Sequence, residues 1–234
     1  MTIKAIIFDK DGTLFDFQSS WGVWCYDFLT DLCDKNSQKM ESIANALRFD
    51  QSKKRFFTDS QFIAGTLDET LELIRNCLPD LKKEFIEKQV QKSLLKLTQK
   101  PTTNLTYLLN YLKSQDYILG VVTNDQEKTS RQQLKKAKVL SYFDLILGCD
   151  SGFGFKPDPG PLMAFCDILA IQYSQTLMIG DSIHDLRAAN SAGMSSIGVL
   201  TGVALRSDLS PYTANILPNI GDLPSWLNNF SQRN

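Results

Sequence analysis

The sequence predicts an α/β chain: a parallel-sheet core with helices on both faces, interrupted after its first strand by an inserted all-helical domain. Three observations predict it. A short apolar run, Ala5-Ile6-Ile7-Phe8, ends in Asp9-Lys10-Asp11-Gly12. From about Trp21 to Leu97 apolar residues recur at helical spacing, with Gln, Lys and Glu in the gaps. After Pro101, helix-like and strand-like segments alternate, the signature of repeated β–α units.

Ala5–Phe8 reads as a buried strand because it is short, partly β-branched and stopped by a turn signal. In the insertion, Trp24, Phe28 and Leu32, then Leu71, Ile74 and Leu78, carry the helical period, while Gly65-Thr66 and Pro79-Asp80 break it. Beyond it a helix over Leu105 to Lys113 precedes a strand over Ile118 to Val122. A helix over Glu127 to Ala137 precedes a strand over Leu145 to Leu147. The next helix opens with Pro159 in its first turn, where a missing N–H costs nothing, and runs to about Leu169. A strand over Leu177 to Ile179, a helix over Ile183 to Ala192 and a strand over Ser196 to Val199 follow. The first strand belongs with these later ones, so residues 1–16 and 98–234 form the core and residues 17–97 the insertion. No internal repeat or low-complexity segment interrupts this order.

Composition narrows the functional classes. The chain has 234 residues, 43% of them hydrophobic, enough for a real core and a smaller second domain. Its formal net charge of −1 gives no electrostatic pull toward nucleic acid or an anionic membrane. No apolar run reaches bilayer-spanning length, and Met1 to Lys10 lacks the long apolar centre of a secretory signal. The five cysteines form no Cys-x-x-Cys pair and there is one histidine, His184, which argues against zinc. A cytoplasmic protein, monomer or homodimer, is expected.

In a doubly wound sheet, ligands bind beyond the carboxyl ends of the strands. Four polar clusters fall there. Asp9-Lys10-Asp11-Gly12-Thr13 places two carboxylates at i and i+2, pointing the same way from an extended segment. They repel unless a cation neutralises one or one keeps a proton. Thr123-Asn124 offers a hydroxyl and an amide suited to phosphoryl oxygens. Lys156, before Pro157-Asp158-Pro159, sets a positive charge near a helix N-terminus. Asp181 and Asp185, in Gly180-Asp181-Ser182-Ile183-His184-Asp185, lie one helical turn apart. Each cluster alone has an ordinary structural explanation: a turn, a solvated lysine or an N-cap. Their coincidence at successive strand ends does not.

Asp9-x-Asp11-Gly12-Thr13, Thr123, Lys156 and Gly180-Asp181-x-x-x-Asp185 together resemble the four motifs of the haloacid dehalogenase superfamily of phosphohydrolases. The resemblance spans nearly the whole chain and is specific in order and spacing. It implies a Rossmann-like core, and the helical insertion is similar to the cap of the family's first structural subclass, which closes over a small substrate. Phe57-Thr58-Asp59-Ser60 to Ile63-Ala64-Gly65-Thr66, with Leu200-Thr201-Gly202-Val203, look most like the phosphoglycolate phosphatase-like branch. The resemblance implies Mg²⁺ bound by Asp9, the backbone carbonyl of Asp11 and Asp181, with Asp185 holding a water of the metal or standing behind the ligands. It implies Asp9 as nucleophile, Asp11 as proton donor and acceptor, and Thr123, the Asn124 backbone and Lys156 on the phosphoryl group of a small phosphorylated metabolite such as phosphoglycolate. Charge accounting agrees: Asp9, Asp181 and Asp185 around a phosphate dianion require cations.

Other residues read more simply. Trp21 and Trp24, at i and i+3, are expected to pack. Arg48 and the Lys53-Lys54-Arg55 run form a solvated face, with one member a candidate for a substrate anion. His184 is expected to support the last motif rather than catalyse. Competing readings are a phosphosugar mutase of the same superfamily and a non-catalytic phosphate-binding module. Carbon–halogen hydrolysis needs no metal and leaves Asp11 and Asp181 unexplained, and a membrane cation pump lacks its spanning helices here.

Overall fold

Ala5–Phe8 (β1) is four residues long and wholly buried, which suits a central strand covered on both faces. The computed structural model describes residues 2–64 and 67–233. It separates into two compact units, Met1–Asp16 with Pro101–Asn234, and Phe17–Lys100.

The second unit is built from α1 (Val23–Leu32), α2 (Ser37–Ala46), α3 (Gln61–Ala64), α4 (Leu67–Cys77) and α5 (Lys83–Leu94). Asn36 caps α2, its side chain accepting from the Lys39 N–H. Helix α1 packs on α5, and α2 on α4. Trp21 and Trp24 meet edge to face at 5.5 Å, and Trp24 donates to Ser93 Oγ at 3.1 Å, so both tryptophans serve packing. The expected all-helical character has one addition. Phe49–Asp50 (β2) and Arg55–Phe56 (β3) pair antiparallel around a turn that the Asp50 carboxylate ties to the N–H groups of Ser52 and Lys53. Buried Gln18 completes this pair, its amide bonding both backbone groups of Phe56. The basic residues lie on the surface as expected. Arg48 pairs with Asp59 at 3.0 Å, and Lys54 sits 4.0 Å above the Tyr26 ring. The Gly65-Thr66 break lies outside the described residues.

The first unit continues with α6 (Leu105–Ser114), β4 (Ile118–Val122), α7 (Glu127–Lys136), β5 (Leu145–Leu147), α8 (Gly160–Ile168), β6 (Thr176–Gly180), α9 (Ile183–Ser191) and β7 (Ser195–Val199). Each lies within a residue or two of its sequence expectation. Past Val199, in the part of the core where the sequence pattern marks no helix or strand, the structure adds α10 (Arg206–Leu209), β8 (Ile216–Leu217) and α11 (Leu223–Arg233).

The six strands form a parallel sheet in the order β5-β4-β1-β6-β7-β8. Alternate residues of each strand feed opposite cores. Ile6, Phe8, Leu119, Val121, Leu177 and Ile179 face α6, α7 and α11 through Leu109, Leu134 and Leu227. Ala5, Ile7, Val122 and Met178 face α8 and α9 through Leu162, Phe165, Ala188 and Ala189. This is the doubly wound arrangement expected, with helices on both faces. The chain builds outward from β1 to β5 on one side, then returns to β6 and builds outward on the other. The switch point therefore lies between β1 and β6, and in sheets of this kind ligands bind beyond the carboxyl ends at that point.

Candidate active site

Register brings the motifs together. Phe8 stands level with Val121 on one side and Ile179 on the other. One residue further, Asp9 leaves β1 still hydrogen-bonded to Ile179, while Thr123 and Asp181 follow the ends of β4 and β6. Asp9 and Asp181 thus flank the switch point. The loop after β1 turns at once: the Lys10 carbonyl accepts from the N–H groups of Leu14 and Phe15, and Gly12 donates to Phe15 at 2.7 Å. Gly12 has φ +90, which favours glycine, and a Cβ there would run into the Asp181 carboxylate.

Lys156 is the hub. Its Nζ is nearly fully buried and lies 2.6 Å from Asp9 Oδ1, 2.7 Å from Asp185 Oδ1 and 2.7 Å from the Val122 carbonyl. Pro159 caps α8 just beyond it. The Asn124 side chain holds the Lys156 backbone in both directions, donating to its carbonyl at 2.8 Å and accepting from its N–H at 2.9 Å. The Asn124 amide is thus partly engaged by the protein, its oxygen and one N–H serving Lys156. Thr123 is buried, and its hydroxyl accepts from the Asp125 N–H at 3.2 Å.

Asp185 is fixed by helix chemistry. Its Oδ2 accepts from the N–H and hydroxyl of Ser182, at 3.0 and 2.7 Å, in a capping box at the start of α9. That leaves Oδ1 for Lys156. His184, beside it, is half-buried, and its Nδ1 has no partner among the described residues.

Asp181 differs from the other two carboxylates. It is buried, accepts from Thr13 Oγ1 at 3.3 Å, and no lysine lies within ion-pair distance of it among the described residues. Gly12 and Gly202 both press against it; a Cβ on Gly202 would also overlap its carboxylate. Thr201 locks this arrangement, donating to the Gly12 carbonyl at 2.6 Å. Nothing in the local sequence marks Thr201-Gly202 as part of the site, since only the fold brings it against the first loop.

The electrostatics follow. Asp9, Asp181 and Asp185 each offer an oxygen within 4.8 Å of the others. Burial raises the Asp9 pKa to about 7; Lys156 opposes the rise, while Asp185 and Asp11 add to it. Burial also lifts Asp181 well above the usual carboxylate range, with Asp9 and Asp185 adding. Burial pulls Lys156 down, but Asp185 and Asp9 outweigh it, so it is held above its ordinary value and stays charged. Four carboxylates, Asp9, Asp11, Asp125 and Asp185, pair with two buried lysines, Lys10 and Lys156, and Asp181 stands outside these pairs. Three converging carboxylate oxygens with a surplus of negative charge are a donor set suited to a hard divalent cation such as Mg²⁺.

Comparison with known proteins agrees with this architecture. The family model for haloacid dehalogenase-like hydrolases matches residues 6–199. A phosphoglycolate phosphatase of Nitrosospira multiformis is 31% identical over 195 residues, covering 82% of this chain and 81% of that protein. The pyrophosphatase PpaX of Bacillus mycoides is 26% identical, covering 95% and 96%. Among solved structures, a Thermotoga maritima protein provisionally identified as a β-phosphoglucomutase superposes with a TM-score of 0.75 at 19% identity, covering 97% and 99%, a likeness of fold. The chain belongs to the haloacid dehalogenase-like hydrolase family, and within it is an enzyme of the phosphatase kind, similar to phosphoglycolate phosphatases.

Proposed function

We propose that this enzyme is a Mg²⁺-dependent phosphatase of small phosphomonoesters, phosphoglycolate foremost, with Asp9 as nucleophile. One observation carries the reading. Three buried carboxylates, Asp9, Asp181 and Asp185, converge with one buried lysine, Lys156, at the switch point of the sheet. Asp9, the Asp11 carbonyl and Asp181 would hold the ion, with Asp185 beside them. When bound, Mg²⁺ supplies charge neutralisation and polarises phosphoryl oxygens.

The chain's own residues supply the rest. Lys156 orients Asp9 and offsets the charge of the incoming phosphoryl group, while Thr123 and the Asn124 backbone receive its oxygens. An Asp9 oxygen attacks phosphorus; the new O–P bond forms as the ester P–O bond breaks. Asp11 gives its proton to the departing alkoxide. Water then attacks the aspartyl-phosphate and Asp11 takes up the water's proton. The bond between phosphorus and Asp9 breaks, releasing inorganic phosphate and restoring the carboxylate. Attack requires Asp9 ionised, which Lys156 favours against burial.

The substrate class rests on the names of the relatives. Phosphoglycolate follows from the Nitrosospira protein, and pyrophosphate is a second candidate from the Bacillus one. The test is phosphate release from phosphoglycolate, pyrophosphate, a hexose phosphate and a nucleoside monophosphate, with Mg²⁺ or with EDTA. Mg²⁺-dependent release, greatest from phosphoglycolate, is expected. Full activity in metal-free buffer would overturn the mechanism, and preference for pyrophosphate would overturn the substrate.

A further inference from the structure

Lys10 has no task in the mechanism above, yet it is fully buried beside the reacting groups. Its ammonium joins two aspartates from different loops. It contacts Asp11 Oδ2 on the loop after β1, and lies 3.0 Å from Asp125 Oδ2 on the loop after β4. Burial opposes its charge, but the two carboxylates outweigh that and keep it protonated. Both ends of this bridge are anchored. The Lys10 carbonyl accepts from Leu14 and Phe15 at 3.0 and 3.1 Å, and Asp125 bonds through its N–H to Thr123 Oγ1 and through its carbonyl to the Cys149 N–H at 3.0 Å. An apolar side chain of this size would fill the same space without the cost of burying a charge, so the lysine's place here calls for a polar role.

We propose that Lys10 is a positioning residue for Asp11. By holding Oδ2 of Asp11 against the Asp125 loop, it fixes the rotation of that carboxyl group and so aims Oδ1 at the leaving-group oxygen. In the step it serves, the proton on Asp11 passes to the departing oxygen as the P–O bond breaks, and Lys10 keeps its own protons throughout. Charge-assisted hydrogen bonds are short and directional, which suits this work. The same bridge ties the first motif to the second, as Asn124 ties the second to the third. The inference rests on Asp11 being the proton donor.

The test uses the full chain with Mg²⁺ and compares single-turnover phosphorylation by p-nitrophenyl phosphate and phenyl phosphate. The two differ little in size, but phenolate is the poorer leaving group and needs the proton more. Asp11→Asn first tests the underlying role: it should slow phenyl phosphate far more than p-nitrophenyl phosphate. Equal losses there would sink the Asp11 assignment and this inference with it. Given that result, Lys10→Met should reproduce the pattern, losing roughly tenfold more on phenyl phosphate, and Lys10→Arg should restore much of it. Equal losses on both substrates in folded Lys10→Met would reduce Lys10 to a structural prop and overturn the proposal. Should Lys10→Met fail to fold, Asp125→Asn decides. A smaller loss of the same leaving-group pattern supports the proposal, and no leaving-group dependence overturns it.

Discussion

Lys156 Nζ stands 2.7 Å from Asp185 Oδ1, and the same ammonium holds Asp9 Oδ1 at 2.6 Å. One buried cation thus sets the position of a candidate nucleophile and of a carboxylate from the last motif. Lys156→Met should lower kcat by about 10²–10³-fold, the usual loss when one preorganised partner of transition-state charge is removed. In metal-free protein it should also destabilise the fold by about 3–5 kcal/mol, because two buried carboxylates lose their counter-charge. Steady-state kinetics and chemical denaturation check both; kcat within twofold of wild type would contradict this role for Lys156.

The close approach of Gly202 to Asp181 predicts a metal defect from a single methyl group. Gly202→Ala must push the Asp181 carboxylate aside. The Mg²⁺ concentration for half-maximal activity should rise by about 10–100-fold, the range seen when support behind a metal ligand is disturbed. A Mg²⁺ titration of activity identical to wild type would show that Asp181 does not need its present position.

Much of this was legible in the sequence, and the rest was hidden for identifiable reasons. Strands β4 and β5 fall where their apolar runs begin and end, and the polar clusters stand out because they recur together at successive strand ends, although each alone could be a turn or a cap. The pair of β2 and β3 is two residues long on each side, too short for any period to register, and its definition comes from Gln18 in a distant part of that unit. Thr201 and Gly202 join the site only through a contact with the first loop that no local pattern encodes. Lys10 sits between two conspicuous aspartates and carries no pattern of its own, so its partner Asp125 was invisible until β1 and β4 lay side by side.

The raised carboxylates predict how stability depends on pH and metal. A carboxyl whose folded pKa is raised contributes stability that is fully present below its unfolded value and is lost as pH climbs through the folded one. For Asp9 that window runs from 3.8 to about 7, and Asp181 shifts the same way, both chiefly through burial. In EDTA, wild type should therefore lose stability relative to Asp181→Asn as pH rises from 5 to 8. The rise in Tm on adding Mg²⁺ should be larger at the higher pH, because binding takes the ionised carboxylates. Differential scanning calorimetry across that range checks it; a Mg²⁺ shift that shrinks with rising pH would contradict the assignment of these carboxylates to the metal.

The most direct measurement is of Asp9 itself. Enzyme mixed with Mg²⁺ and substrate is quenched in acid during turnover and reduced with borohydride, which converts an aspartyl-phosphate to homoserine, and the chain is sequenced by mass spectrometry. The account predicts homoserine at position 9 and nowhere else, and its complete loss, together with turnover, in a folded Asp9→Asn variant. A phosphoryl group trapped on any other residue, or an Asp9→Asn variant that still turns over at a substantial fraction of the wild-type rate, would contradict it.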